Sequence, residues 1–115
     1  MHELGLARGI VDLATAAASD AGARRVVGVR VAVGRLAGVE AGALLFSFDI
    51  AAAGTLAEGA TLEITDVPVA IWCAPCNAER ELPGVTRFRC PTCDTPSGVI
   101  RRGKELEVSS IEVES

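Results

Sequence analysis

From Leu4 to Ala21, apolar side chains recur at the three- and four-residue steps of a helix. Leu6, Ile10, Leu13, Ala14, Ala17 and Ala21 share one face, while Arg8, Asp12, Thr15 and Ser19 fall largely on the other. Gly22 stands where a left-handed residue would end that helix. The period then shortens to two. From Arg25 to Leu36, Val27, Val29, Val31 and Val33 alternate with Gly28, Arg30, Ala32 and Gly34, which predicts a half-buried strand closed by Gly38. Helical spacing returns from Glu40 to Ala53, with Leu44, Phe48 and Ala52 at four-residue steps and Leu45 beside them. Glu40 falls in the first turn of this second helix, where a carboxylate complements the helix dipole, and Gly54 closes it.

Two further strand-like runs change phase part-way. In Thr61 to Ile71, Leu62 and Ile64 share one parity, whereas Val67, Val69 and Ile71 take the other. A bulge or bend near Asp66 accounts for the slip, and Pro68 implies a locally unpaired position. Lys104 to Glu114 slips in the same way, from Leu106 and Val108 to Ile111 and Val113. The matching slips predict that these two strands are antiparallel neighbours. The order of elements predicts an α+β fold: a small three-stranded sheet packed with two helices, plus an inserted cysteine-bearing lobe. The expected division is one domain over 1–71 and 104–115 and a second over 72–103, with no internal repeat beyond two cysteine pairs.

At 115 residues the chain allows one ordinary domain, or a small core supplemented by a metal-stapled lobe. Hydrophobic residues reach 50% but aromatics only 3%, so the core is expected to be built from Ala and Val, with Trp72 and three Phe as bulky exceptions. A net charge of −4 argues against nucleic-acid binding driven by bulk charge. No apolar run is long enough for a membrane-spanning helix and no apolar signal segment opens the chain, so a cytoplasmic protein with no membrane partner is expected.

All four cysteines lie in one stretch, CAPCNAERELPGVTRFRCPTC, as two Cys-x-x-Cys pairs, Cys73/Cys76 and Cys90/Cys93. Each turn aims two thiolates to one side, so two turns supply the four soft ligands of a closed structural Zn²⁺ site. Pro75 and Pro91 stiffen the turns, and Gly84 permits reversal of the connecting segment. Paired disulfides would suit a small secreted protein, and a redox Cys-x-x-Cys usually opens a helix and needs no second pair. Iron also occupies four thiolates, and spacing does not distinguish it from zinc. A four-sulfur site has no open coordination position, which makes it structural rather than catalytic.

Catalytic constellations are missing. His2 is the sole histidine, and no nucleophile elbow, phosphate-binding loop or dinucleotide-binding glycine pattern occurs. The expectation is a protein that is not an enzyme. The amino terminus offers different chemistry. A free Met1 amine, the His2 backbone nitrogen and the His2 imidazole close adjacent five- and six-membered chelate rings, and a deprotonated Glu3 amide would complete a plane of four nitrogens. That geometry favours Ni²⁺ or Cu²⁺ over tetrahedral Zn²⁺. A histidine at position 2 is otherwise simply an exposed residue at a chain end. A second class of function is a zinc-ribbon adaptor for nucleic acid or protein, supported by Arg87, Arg89, Arg101, Arg102 and Lys104 around the cysteines, with Phe88 as a stacking platform.

The Met1-His2-Glu3 opening followed by LGLARGIVDLA, the VRVAVGRLAGVE segment, the LLFSF helix and the double Cys-x-x-Cys block together resemble the HypA/HybF family of hydrogenase-maturation nickel chaperones. The resemblance covers essentially the whole chain. It implies nickel ligation by His2, assisted by the Met1 amine and the backbone nitrogens of His2 and Glu3. The Glu3 side chain would orient the site, with Glu40 as an acidic position near it. Cys73, Cys76, Cys90 and Cys93 would hold structural Zn(II), with Ni(II) as transient cargo. The implied partners are a HypB-type GTPase and the large subunit of [NiFe]-hydrogenase, with urease as a second client in some members. The chain departs from some members in having no histidine near its cysteines. Its exposed strand edge and extended lobe permit a homodimer or a domain swap, but demand neither.

Overall fold

The computed structural model describes residues 2–115. Helix α1 spans Glu3–Asp20, strand β1 Arg25–Gly34 and helix α2 Ala41–Ala52. Strands β2 (Thr61–Val67), β3 (Ala70–Cys73), β4 (Ala78–Glu81), β5 (Ile100–Arg102) and β6 (Leu106–Glu114) follow. They form two three-stranded sheets, ordered β2-β1-β6 and β4-β3-β5. The chain divides into two compact units, 1–31 with 39–65 and 107–115, and 32–38 with 66–106. The α+β class, the two helices, the three-stranded sheet and the cysteine-bearing insertion are all present.

The helix boundaries follow local chemistry. Gly22 and Gly54, just past the two helices, have φ of 66° and 76°, conformations that cost glycine little and other residues more. At the start of α2, Glu40 is the capping residue, and its carboxylate accepts from the backbone N–H groups of Gly42 and Ala43. Two donors left over by helix geometry are thereby satisfied.

In the first unit, α1 buries Ala7, Ile10, Val11, Ala14 and Ala18, and α2 buries Leu44, Ser47, Phe48 and Ala52. Val26, Val29 and Val31 of β1 and Leu62 of β2 are buried with them. The inward stripe of α1 is rotated from the expected one. Leu13 is 53% exposed, whereas Ala7 and Ala18 are fully buried. Alanine leaves little bulk on the inner face, so α1 and α2 approach closely and larger side chains move to the flanks. For the same reason Leu45 is 43% exposed rather than packed beside Leu44.

The run from Thr61 to Ile71 is two strands rather than one. It breaks at Pro68 and Val69, and its halves enter different sheets. Proline has no N–H for a ladder, so the phase slip becomes a change of sheet. The expected pairing of the two phase-shifted strands is also corrected: β1 lies between β2 and β6. Arg30 meets Glu63 and Arg35 meets Asp66, so β1 and β2 run parallel, with α2 as the crossover. Arg25 meets Glu114 and Ser109 meets the Arg30 carbonyl, so β1 and β6 run antiparallel. As the longest and most apolar strand of its sheet, β1 takes the centre, where both of its edges are paired.

The second unit has a small apolar core of Val69, Ile71 and Leu82, against which Leu36 and Phe88 pack. The end of β1 is clamped to the returning chain by Gly34 N–H to the Glu105 carbonyl (2.7 Å) and Leu36 N–H to the Gly103 carbonyl (2.8 Å). A Cβ at Gly34 would stand 2.1 Å from the Gly103 carbonyl oxygen, so this crossing requires glycine.

Candidate metal centres

Cys73 ends β3, and a tight turn carries the chain through Cys76 into β4, with Asn77 N–H donating to the Ala74 carbonyl (3.0 Å). Cys90 to Cys93 make a second turn, in which Asp94 N–H donates to the Cys90 carbonyl (2.8 Å). The residue after each second cysteine is left-handed: Asn77 has φ 49° and Asp94 φ 61°. Asn and Asp tolerate this region better than most residues. The two knuckles therefore repeat one backbone device.

The knuckles converge. The Cys73 and Cys93 sulfurs are 3.4 Å apart and those of Cys76 and Cys90 3.9 Å apart, and all four lie within 4.8 Å of one another. All four thiols are free. A tetrahedron with Zn–S bonds of about 2.3 Å has edges of about 3.8 Å, so the sulfurs already stand close to the corners of a zinc site. Cys73 and Cys90 are buried, Cys76 is half-buried and Cys93 is exposed.

The electrostatics of the metal-free cluster are conflicted. The Cys76 backbone N–H favours the Cys73 thiolate, but burial and the neighbouring sulfurs outweigh it and push the thiol up to about 12. Burial opposes ionisation of Cys90 as well, yet the backbone N–H groups of Cys93 and Thr92 and the adjoining thiols bring it down to about 6. Cys93 is lowered by the Thr95 hydroxyl and backbone. Packing four sulfurs this closely sets their charges against each other, and a divalent cation resolves the conflict. The donor set, the distances and the charge all fit structural zinc.

At the other candidate centre, His2 is the capping residue of α1, with φ −82°, ψ 92° and no side-chain capping hydrogen bond. It is exposed, and its carbonyl accepts from Leu6 N–H at 3.1 Å. Glu3 opens the helix and its carboxylate accepts from the Glu40 N–H at 3.1 Å. That N–H holds the Glu3 carboxyl below its ordinary 4.5, with Glu3's own backbone N–H adding to the effect. Glu40 is thus adjacent to Glu3, but through its backbone; its carboxylate is committed to the first N–H groups of α2 as that helix's cap. Met1 lies outside the described residues.

The basic residues of the cysteine lobe are mostly engaged. Arg87 and Arg89 both meet Asp94, Arg102 meets Glu79, and Arg101 stacks over Trp72 at 5.0 Å. Phe88 packs against the small core rather than presenting a stacking platform. Sequence reasoning missed Arg80, which stands opposite Ile71 on the face of the sheet that carries Cys73, and Ser97, whose hydroxyl donates to the Trp72 carbonyl at 2.6 Å. Alternation along β4 carried the signal for Arg80: Ala78 and Arg80 share the half-buried parity, while Glu79 and Glu81 are exposed.

Among the described residues no helix is long and apolar enough to cross a membrane. Residues 1–113 match the family model described as "Hydrogenase/urease nickel incorporation, metallochaperone, hypA". A hydrogenase maturation factor HypA from Chloroflexus aurantiacus is 51% identical over 112 residues, covering 97% of this chain and 98% of the relative. Its counterpart from a Roseiflexus species is 46% identical over 114 residues, covering 99% and 93%. The solution structure of the Ni metallochaperone HypA from Helicobacter pylori shares the fold at a TM-score of 0.68, with 21% identity over 100% of this chain and 99% of that one. A second solution structure of a HypA protein gives 0.72, with 22% identity over 98% and 96%. The chain belongs to the HypA family of hydrogenase maturation factors and nickel-incorporation metallochaperones.

Proposed function

We propose that the chain binds one Ni(II) at its amino terminus and delivers it during maturation of [NiFe]-hydrogenase. The ligands are the Met1 amine, the backbone nitrogens of His2 and Glu3 and the His2 imidazole. Cys73, Cys76, Cys90 and Cys93 hold a structural Zn(II). A HypB-type GTPase and the hydrogenase large subunit are the partners, urease is a second client, and the setting is the cytoplasm.

One observation carries the nickel assignment: α1 begins at Glu3, directly after His2. The first N–H groups of a helix have no intrahelical acceptor, so the Glu3 amide can be surrendered to a metal without breaking a helical bond. His2 is extended and exposed, with no side-chain capping bond to give up. The tie from the Glu3 carboxylate to the Glu40 N–H holds the start of the helix, and the Glu3 N–H faces only its own side chain, a local contact that a metal can replace. A site made of one side chain and terminal backbone exchanges its ion by stepwise ligand substitution, as cargo requires.

The test is calorimetric Ni²⁺ titration of zinc-loaded protein with a native amino terminus, beside protein carrying one extra leading residue and beside His2→Ala. One tight Ni²⁺ is expected for the native protein alone, with the absorption of square-planar nitrogen ligation. Equal binding by all three would move nickel to another site. The zinc-ribbon adaptor reading has less support, because the arginines of the lobe meet carboxylates or Trp72 and Phe88 is packed.

A further inference from the structure

Arg80 sits on β4, the strand that leaves the first knuckle. The register pairs Cys73 with Ala78 and Ile71 with Arg80. Directly opposed residues of an antiparallel pair project from the same face, so Arg80 shares the face of Cys73 and of buried Ile71. A cation on that face needs a counterpart. The Arg80 Nε is buried and has no hydrogen-bond partner among the described residues. Nor does any carboxylate among them lie within ion-pair distance of Arg80, since neighbouring Glu79 is engaged by Arg102. What that face offers instead is the sulfur cluster: Cys73 lies two residues along β3 from Ile71, and its sulfur stands within 4.8 Å of those of Cys76 and Cys90.

We propose that Arg80 is a positioning residue of the four-cysteine site, whose guanidinium donates N–H groups to the Cys76 and Cys90 sulfurs and retards loss of the bound zinc. The inference rests on the assignment of Cys73, Cys76, Cys90 and Cys93 to Zn(II). Zinc with four thiolates is a net dianion, and a buried guanidinium beside it offsets part of that charge. The same N–H groups occupy sulfur lone pairs that a competing electrophile would otherwise use. One sulfur from each knuckle is engaged, so a single side chain ties the two halves of the site together. A planar fork of fixed donors suits this role better than an ammonium on a flexible stem.

The experiment follows zinc release at constant neutral pH, using a chromogenic chelator in excess, from full-length wild type, Arg80→Gln and Arg80→Lys. Partners of metal ligands typically contribute a factor of about 10 to 100 in metal retention, so Arg80→Gln is expected to release zinc roughly tenfold faster or more. Arg80→Lys should recover part of the difference. In the Co(II)-substituted protein, removing the N–H donors should shift the sulfur-to-cobalt charge-transfer band to lower energy, a change that loosened packing alone would not produce. Unchanged release and an unmoved band in both variants would overturn the role of Arg80 while leaving the zinc site standing. Should Arg80→Gln fail to fold, Arg80→Lys decides, and wild-type kinetics with a wild-type band there would overturn the role. A wild-type protein purified without zinc or another four-thiolate metal would overturn the site assignment itself.

Discussion

Glu3 and Glu40 divide the work at the junction between the chain start and α2. The Glu3 carboxylate accepts from the Glu40 N–H, and the Glu40 carboxylate accepts from Gly42 and Ala43. Glu40 therefore contributes its backbone to the Glu3 contact and its charge to the helix. Because hydrogen bonding depresses the Glu3 pKa, this contact contributes stability above the ordinary value of 4.5, and the contribution is lost as pH falls through the lower folded value. In an NMR titration of metal-free protein, the Glu3 carboxyl should titrate below 4.5, with the Glu40 amide shift following the same curve. A midpoint at or above 4.5 would remove the contact. Sequence pointed to Glu3 and Glu40 as neighbours only through family resemblance. Whether a carboxylate acts as ligand, cap or tether depends on which backbone donors it meets: the Glu40 cap meets donors two and three residues on, whereas the Glu3 tie spans 37 positions that local pattern does not connect.

Elements were legible where the residue pattern determines the backbone, and misread where it determines only half of a contact. The phase slip near Asp66 and the missing donor of Pro68 correctly marked a discontinuity, and both belong to the strand itself. Which strand lies alongside it is a property of two sequences, and β1 displaced the expected partner by offering two apolar, pairable edges. The rotated face of α1 has a related origin. Periodicity weighs Leu13 as core, but contact between helices selected Ala7, Ala14 and Ala18, whose small size lets the backbones close in. Gly34 shows the same economy of space at the end of β1. A methyl group there would meet the Gly103 carbonyl at 2.1 Å, and both partners are backbone, so neither can rotate away. Gly34→Ala should destabilise the protein by about 3 kcal/mol, at the upper end of overpacking costs. Gly84→Ala, where nothing lies within 4 Å, should stay within about 0.5 kcal/mol. Urea denaturation of both variants provides the comparison, and equal midpoints would mean that the crossing relaxes.

At the scale of the whole chain, the two compact units have different sources of stability. The first buries apolar side chains from both helices and from β1 and β2. The second has Val69, Ile71 and Leu82 with two half-buried neighbours, too little apolar surface to offset the ordering of its long irregular connections. Its other organising centre is the sulfur cluster, where Cys73 is pushed up to about 12 and Cys90 falls to about 6 when no cation balances them. Metal binding should therefore act as folding energy for residues 66–106 and contribute little to the helical unit. Stripping the metal with a chelator, or replacing Cys73 by Ser, should raise amide hydrogen exchange across β3, β4 and β5. Amides in α1 and α2 should remain protected. The thiolates must be deprotonated to bind, so mild acid should mimic the chelator, with metal release and loss of protection in β3 to β5 following a single pH curve. If protection were lost throughout the chain at once, the two units would share one cooperative transition, and the metal would be holding the entire fold rather than the lobe that contains it.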